Sequence, residues 1–353
     1  MAQSEKAAQI RTAIKDVGIK FIEYSSLQDI TPVGRGGFGE IFKAFWPQPG
    51  ITVALKCIDH NNDPYKAFIK EVKSLIIVNY HENIIRFLGV SFDQDRYFVV
   101  MQYADGGNLR DFLKENFSIL TWSDKIRIAK EIAAGLKCIH SEDIVHRDLH
   151  SKNILVHNGK MIITDLGISK SLNEVSITSS NSGYGLIPYI DPEYLNNVCP
   201  KRGKEFDIYS LGVLFWEISS GRAPFEDQNL DISIGIKIIQ GLRETPVEGS
   251  PLKYVKLYKK CWDGIPKNRP TIEEVVERLN NIELIINENK SDFILPLTPP
   301  SSPMDPRSIT PNTHLIFPLS TIESNKHTPN QPSLIHVFEP PTLQEMNNKN
   351  SFH

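Results

Sequence analysis

The sequence has few cysteines, little net charge and no long apolar run. Its 353 residues carry a formal net charge of −3, so nothing marks the whole surface for nucleic acid or acidic lipid. The four cysteines are too far apart for a CxxC or metal-ligand spacing, which favours a reducing compartment; they are Cys57, Cys138, Cys199 and Cys261. The apolar runs are too short for a membrane span, and the N-terminus lacks a signal-peptide core. We therefore expect a cytoplasmic protein, with the nucleus as the alternative, that neither spans a membrane nor binds nucleic acid.

The composition changes near Ser291, where proline becomes frequent. The last 63 residues hold 11 of the 23 prolines, in phrases such as LPLTPPSSPMDP and FEPPT, and show no helical or strand period. Such a segment buries too little apolar surface to fold. We predict an N-terminal extension over 1–26, a folded domain over 27–286, and a disordered tail rich in Pro, Ser, Thr and Asn over 287–353.

Two kinds of pattern follow each other inside the folded region. From Leu27 to Met101, short β-branched and aromatic runs such as GEIFKAFW and YFVVMQY predict strands, and one amphipathic helix, YKAFIKEVKSLIIV, interrupts them. From Leu109 to Asn287 the period is mostly helical, and FDIYSLGVLFWEISSG predicts a buried central helix that ends at Gly221. We therefore predict an α+β fold of two lobes, the first small and β-rich with one helix, the second larger and mostly helical.

A glycine-rich stretch, VGRGGFGEIFKA, joins two predicted strands. Its glycines would let backbone amides approach a phosphate closely, although such hairpins also serve as plain turns. The VALK that follows places Lys56 in a half-buried strand, where its ammonium needs a partner. Glu71, on the amphipathic helix, is the candidate partner, and two solvated surface charges are the alternative.

Two polar stretches in the second region point to phosphoryl transfer. In VHRDLHSKNILV, Asp148 can orient an attacking hydroxyl and accept its proton. Asn153 in the same stretch and Asp165 in ITDLGIS supply hard oxygen ligands of the type that Mg²⁺ prefers. The order of glycine loop, lysine, glutamate, aspartate with asparagine, and second aspartate matches the parts that phosphoryl transfer needs.

From Leu27 to Ile286 these motifs, in this order, resemble a protein kinase catalytic domain. VALK is similar to the family's VAIK, HRDLHSKN to its catalytic loop, DLG to its DFG and YIDPE to its APE. SLGVLFWEI and CW…RPT resemble the tyrosine and tyrosine-kinase-like branches most. The resemblance implies the two-lobed kinase fold, ATP and Mg²⁺ as cofactors, and transfer of the γ-phosphoryl group to hydroxyl side chains of a protein substrate in signal transduction.

The resemblance also assigns site residues. Asp148 would be catalytic, Lys56 paired with Glu71 would be held toward the α- and β-phosphates, and Asn153 and Asp165 would bind the metal. The residues implied for the ATP site are Val33, Gly34, Gly36, Gly37, Phe38, Gly39, Ile41, Ala54, Lys56, Leu155, the gatekeeper Met101, and Gln102, Tyr103 and Ala104 of the hinge. Ordinary core packing is the alternative for the apolar walls Val33, Ile41, Ala54 and Leu155.

Further positions receive structural roles by the same resemblance. Asp207 would anchor the catalytic loop, and Arg269 would pair with Glu193 of YIDPE, in which Asp191 replaces the family's alanine. Arg147 would pair with a phosphate on SITSSNSGY and so order that segment; a plain polar loop is the alternative. The candidate phosphosites there are Ser176, Thr178, Ser179, Ser180 and Ser182.

Both usual markers of the acceptor class are missing. His150 stands where serine/threonine kinases usually carry lysine, and Leu186 where they carry threonine, while the RDLAARN and RDLRAAN loops of tyrosine kinases are also absent. We favour serine or threonine, because HRDLH variants resemble the tyrosine-kinase-like branch. His150 itself would either contact the γ-phosphate or substrate, or pack under the activation segment.

Two other functions are compatible with these motifs. A pseudokinase would keep the fold as a binding module without turnover; Lys56, Asp148 and Asp165 argue against it, whereas Leu166 and Asp191 are the unusual residues that favour it, together with Leu186. A small-molecule kinase is disfavoured because YIDPE and CW…RPT belong to kinases with protein substrates.

The tail is the candidate site for binding partners. Thr298 and Ser302, four residues apart, each precede a proline and are candidates for proline-directed phosphorylation. Doubly phosphorylated, this stretch would resemble the phosphodegrons read by WD-repeat ubiquitin-ligase receptors; incidental dipeptides are the alternative. The sequence assigns no oligomeric state.

Overall fold

The computed structural model describes residues 18–36, 39–58, 64–94, 96–166, 184–196, 203–228 and 232–282. The predicted tail, the predicted phosphosites of SITSSNSGY, and Gly37 and Phe38 lie outside the described residues. The strands in the described residues are β1 (Gln28–Gly36), β2 (Gly39–Trp46), β3 (Ile51–Cys57), β4 (Phe87–Asp93), β5 (Arg96–Gln102), β6 (Ile154–His157) and β7 (Lys160–Ile163). The α-helices are α1 (Pro64–Val78), α2 (Leu109–Asn116), α3 (Trp122–Ser141), α4 (Pro192–Leu195), α5 (Lys204–Ser220), α6 (Ile232–Ile239), α7 (Leu252–Cys261) and α8 (Ile272–Asn280).

The first lobe is an antiparallel sheet with strand order β1-β2-β3-β5-β4. Alternation along β3 divides its side chains between two faces. Val53, Leu55 and Cys57 are buried on one face in a cluster with Ile22 and Leu27. The other face, which carries Val99 and Met101 of β5, packs against α1. The strands and the single helix of this lobe are thus confirmed.

Part of the predicted N-terminal extension completes this sheet. The amide of Ile22 donates to the carbonyl of Val90 at 2.8 Å, and the amide of Val90 donates to the carbonyl of Lys20 at 3.0 Å. A side chain at Gly89 would collide with the Lys20 carbonyl, and φ there is +154°, so this close approach requires glycine. Residues 20–22 are therefore joined to β4.

The second lobe is organised around α5. Every residue of α5 from Phe206 to Ser219 is buried, as expected of a helix that is apolar nearly all round. Its end is a left-handed cap at Gly221 (φ +70°), whose amide donates to the carbonyl of Glu217 at 2.8 Å. The predicted buried central helix that ends at Gly221 is confirmed, and with it the α+β fold of two lobes.

A small hairpin positions the polar stretches between the lobes. β6 and β7 pair antiparallel through Asn158 and Gly159, both with positive φ, the residue pair that favours a two-residue hairpin turn. The amide of Ile163 donates to the carbonyl of Asn83, and the amide of Ile85 to that of Ile163, each at 2.9 Å. The hairpin is thereby tied to the segment between α1 and β4, so the residues just before β6 and just after β7 lie beside the first lobe.

None of the described helices combines the length and the apolar character that crossing a membrane requires.

Candidate active site

Lys56 joins three elements from both lobes. On β3 it is 1% exposed, and its Nζ donates to Glu71 Oε1 on α1 at 2.8 Å. The same Nζ donates to Asp165 Oδ1, two residues after β7, at 2.5 Å. Because Glu71 is also 1% exposed, the alternative of two solvated surface charges is excluded.

Lys56 attracts the carboxylates of Glu71 and Asp165, while those two carboxylates repel each other. Burial alone would lower the pKa of Lys56, but the carboxylates of Asp165 and Glu71 outweigh it, so the pKa lies above its usual value and the ammonium stays charged. Burial raises the pKa of Glu71, and Lys56 opposes that rise. Removing one partner would leave a buried charge uncompensated.

Asp207 accepts hydrogen bonds from the backbone of the loop that contains His146 and Arg147. It lies on α5 and is 1% exposed; its carboxylate accepts the amides of His146 and Arg147, each at 2.8 Å, and contacts Nε2 of His140 at 2.8 Å. Arg147 has φ +70°, a conformation that is costly for a residue with a side chain and needs support from its surroundings. Asp207 thus accepts from the backbone of the loop that the resemblance implied it would anchor, and the Arg147 side chain is exposed.

Asp148 and Asn153 lie in contact at the end of this loop. Nδ2 of Asn153 donates to the main-chain carbonyl of Asp148 at 2.8 Å and to its Oδ2 at 3.3 Å. Because the side-chain nitrogen Nδ2 of Asn153 is engaged by Asp148, its side-chain oxygen Oδ1 is left for another ligand. Partial burial would raise the pKa of Asp148, but contacts with His150, His146 and Asn153 outweigh it, so the pKa lies below its usual value.

His150 lies close to Asp148 and to Tyr189. Its ring is 5% exposed and tilts toward that of Tyr189, with 6.1 Å between the ring centres. Its Nε2 is 3.6 Å from Oδ2 of Asp148. His150 thus packs against Tyr189, which corresponds to one of the two alternatives considered for it. Its proximity to Asp148 was not predicted.

Asn153 and Asp165 suit a hard divalent cation. Asp165 has φ +63°, which brings its carboxylate back toward Lys56 after β7. The described residues contain no group of three or more His, Cys, Asp or Glu that would hold a metal by itself. One amide oxygen and one carboxylate fit Mg²⁺, which takes few protein ligands and completes its coordination with water and phosphate oxygens.

The sheet register places the predicted pocket residues on one face. Ala54 pairs with Met101 and Lys56 with Ile41, and directly paired residues share a face. Val33 lies at a register shift between Pro32 and Gly34 and is 53% exposed, so ordinary core packing does not account for it. Ala54 and Met101 are buried, which is compatible both with a pocket wall and with ordinary core packing.

The remaining predicted ATP-site residues that the structure describes lie on or next to strands of both lobes. Gly36 and Gly39 are paired at the end of the β1–β2 hairpin, with Gly34 earlier on β1. Leu155 on β6 forms an isolated antiparallel bridge with Asn108, the residue before α2. The hinge residues Gln102, Tyr103 and Ala104 follow at the end of β5 and are partly buried.

Arg269 pairs with Asp191 and not with Glu193. The Arg269 guanidinium contacts the carboxylate of Asp191, and both side chains are fully buried. It also donates to the carbonyls of Glu205 at 2.9 Å and Asp263 at 2.8 Å. Asp191 caps α4 by accepting the amide of Glu193 at 2.7 Å, so its short side chain points inward while Glu193 lies in the partly exposed first turn. The predicted pairing is therefore wrong.

A buried polar cluster was not predicted from the sequence. Arg110 on α2 donates through Nε to Glu217 on α5 at 3.0 Å and to Oγ of Ser151 at 3.1 Å, and through Nη2 to the Tyr189 hydroxyl at 2.8 Å. The Tyr189 hydroxyl also donates to Glu217. We call Arg110, Ser151, Tyr189 and Glu217 the Arg110 cluster. The sequence signal for it is the single glutamate inside the apolar stretch GVLFWEI.

Comparison with known proteins gives one consistent result. The family model described as protein tyrosine and serine/threonine kinase matches residues 27–279. Human receptor-interacting serine/threonine-protein kinase 1 is 31% identical over 277 residues, which cover 72% of this chain and 40% of that protein. A putative serine/threonine-protein kinase/receptor of Acanthamoeba polyphaga mimivirus is 30% identical over 270 residues, 74% of this chain and 16% of that protein.

A viral tyrosine kinase is similar to the same extent. The tyrosine-protein kinase transforming protein Fps of avian sarcoma virus is 32% identical over 254 residues, 70% of this chain and 46% of that protein. The chain therefore spans less than half the length of each of these three relatives.

Proposed function

Because the chain belongs to the protein tyrosine and serine/threonine kinase family, we propose that it is an ATP-dependent protein kinase. It transfers the γ-phosphoryl group of ATP to hydroxyl side chains of a protein substrate. The observation that carries this proposal is the convergence of Lys56 with Glu71 and Asp165 between the lobes, at the end of the hairpin that follows Asp148 and Asn153. A lysine paired with a glutamate and close to an aspartate is part of what phosphoryl transfer needs, and this supports the proposal.

The ion pairs of Lys56 with Glu71 and Asp165 form a charged group suited to a triphosphate. Lys56 is the ammonium directed at the α- and β-phosphates, and Glu71 fixes its position. Asn153 and Asp165 are the residues that would hold Mg²⁺, which when bound neutralises charge on the phosphates. The exposed Val33 and the face shared by Ala54 and Met101 are proposed as walls of the adenine pocket.

Asp148 is proposed as the residue that orients the acceptor hydroxyl and accepts its proton. Its pKa lies below the usual value, so the carboxylate is ionised at neutral pH. Within the described residues, the side-chain contacts of the Asp148 carboxylate with Asn153 and His150 are both on Oδ2, which leaves Oδ1 to face an acceptor.

Serine or threonine is the acceptor that we propose. Two of the three relatives compared above are named serine/threonine kinases and one a tyrosine kinase. The HRDLH loop, which resembles the tyrosine-kinase-like branch, favours the former. For the compartment we propose the cytoplasm, where the chain would act in signalling, because Cys138 and Cys261 are free thiols and are buried.

The test is transfer of label from γ-labelled ATP to generic protein acceptors, followed by phosphoamino-acid analysis. We expect label on serine or threonine from the wild type and a loss of label with Asp148→Asn. Label on tyrosine would overturn the acceptor proposal alone. No transfer, together with normal Mg·ATP stabilisation of the fold, would overturn the activity and favour a pseudokinase.

A further inference from the structure

His150 approaches the proposed catalytic aspartate from a buried position. Its Nε2 lies 3.6 Å from Oδ2 of Asp148, which is beyond hydrogen-bond length, and a shift of roughly 0.6 Å would close the bond. Hydrogen bonds of catalytic groups are often long before substrates bind and shorten in the complex. A small movement of either side chain would therefore form a hydrogen bond between His150 and Asp148.

The other ring nitrogen determines where the proton lies. Nδ1 of His150 is buried and has no hydrogen-bond partner in the described part of the chain. A neutral imidazole carries one N–H, and a buried N–H without an acceptor costs free energy. The favoured tautomer therefore places the proton on Nε2, the nitrogen that faces the Asp148 carboxylate.

The ring is held from its other side by the Arg110 cluster. His150 tilts toward Tyr189, and the Tyr189 hydroxyl is bonded to both Arg110 and Glu217. Ser151, the next residue after His150, also accepts from Arg110 at 3.1 Å. Both the ring and the backbone beside it are thus fixed to one buried cluster, which leaves the histidine little freedom to move away from Asp148.

We propose that His150 is a positioning residue for Asp148: its Nε2–H donates to Oδ2 and aims Oδ1 at the acceptor hydroxyl. This inference rests on the proposed role of Asp148. The Asn153 amide reaches the same Oδ2 at 3.3 Å, so the two donors together fix the plane of the carboxylate. Loss of the histidine donor would allow the carboxylate to rotate, and misplacement of a catalytic group by about 1 Å can cost about 100-fold in rate.

Two near-isosteric substitutions separate this role from packing. In His150→Gln the amide nitrogen can take the place of Nε2, whereas in His150→Asn the shorter amide reaches only the place of Nδ1. We expect His150→Gln to keep kcat within about 3-fold of wild type and His150→Asn to lower it by roughly 10- to 100-fold. The KM for ATP and the thermal stabilisation by Mg·ATP should be unchanged in both variants, since neither touches the triphosphate side.

A double variant shows whether His150 acts through Asp148. In single-turnover transfer of labelled phosphate, His150→Asn should cost nothing further when it is added to Asp148→Asn. Equal losses in the Gln and Asn variants, additive losses in the double variant, or a wild-type kcat in His150→Asn would each overturn the positioning role. If Asp148→Asn alone retained wild-type transfer, the proposed function of Asp148 would fail instead, so the two failures are distinguishable.

Discussion

Arg269 and Asp191 form a fully buried ion pair that joins the segment before α8 to the cap of α4. Asp191 occupies the position of the alanine in the family's APE motif, and the carboxylate that the resemblance implied for this pair belongs to Glu193. The chain therefore stabilises the end of its activation segment with a different carboxylate.

Asp191→Asn should destabilise the fold much more than Glu193→Gln does. Asparagine can still cap α4, but the buried guanidinium loses its counter-charge, which costs about 3–5 kcal/mol in unfolding free energy. Glu193→Gln, in the partly exposed first turn, should cost less than about 1 kcal/mol. Chemical denaturation of the two purified variants makes the comparison. A larger loss of unfolding free energy in Glu193→Gln would indicate that Arg269 pairs with Glu193, as the resemblance implied.

Lys56→Met should lower kcat/KM by roughly 10²- to 10³-fold, the usual cost of removing one preorganised charge contact. The change also leaves Glu71 buried without its cation. Lys73→Met is the matched control, because Lys73 is an exposed lysine on α1, and it should behave as wild type. Equal steady-state kinetics for the two variants would contradict the assignment of Lys56.

Removal of divalent metal should abolish the stabilisation of the fold by ATP. The predicted ligands supply only one carboxylate and one amide, so phosphate oxygens must complete the coordination. Thermal unfolding with ATP in EDTA should match unfolding without ATP, and added Mg²⁺ should restore the shift in wild type but not in Asp165→Asn. A full shift in EDTA would exclude a metal-dependent mode of nucleotide binding.

Arg110→Met should destabilise the protein by about 3–5 kcal/mol, because it leaves the buried Glu217 without its cation. The pKa of Glu217 is raised, first by burial, with Arg110 opposing. A raised carboxyl pKa means that the folded state binds more protons, so stability falls as pH rises from the ordinary glutamate pKa through the folded one. The loss in Arg110→Met should therefore be largest at neutral pH and smaller near pH 5. A loss independent of pH would contradict this assignment.

Truncation after Lys290 should leave ATP turnover within about 2-fold of wild type. Ile282 is 7% exposed and belongs to the main apolar cluster, so the shortened chain keeps every described residue. Steady-state kinetics of the two chains make the comparison. A large loss of kcat would show that the tail contributes to catalysis and would move the proposed domain boundary.

Periodicity and end signals were sufficient to predict the main elements. The alternating run GEIFKAFW coincides with β2, and Gly221 ends α5 as expected, because local backbone preferences and one-sided burial determine both. The hairpin of β6 and β7 was not predicted, although Asn158 and Gly159 are a strong turn signal.

Side-chain partners were harder to predict than elements. Asp165 is 109 residues from Lys56 in the sequence, and Glu217 is 107 residues from Arg110. No local sequence pattern predicts contacts between residues so far apart. Whether Arg269 pairs with Asp191 or with Glu193 depends on side-chain length and on how Asp191 caps α4. The order of the motifs along the chain does not predict either feature. The His150 contacts likewise require the three-dimensional position of Tyr189.

The most direct test of the central claim compares phosphoryl transfer by wild type and Asp148→Asn under single-turnover conditions with saturating Mg·ATP. Thermal stabilisation by Mg·ATP should be equal in the two proteins, and label transfer should be slower by roughly 10²- to 10⁴-fold in the variant. A variant that binds Mg·ATP normally and transfers label at the wild-type rate would contradict that claim.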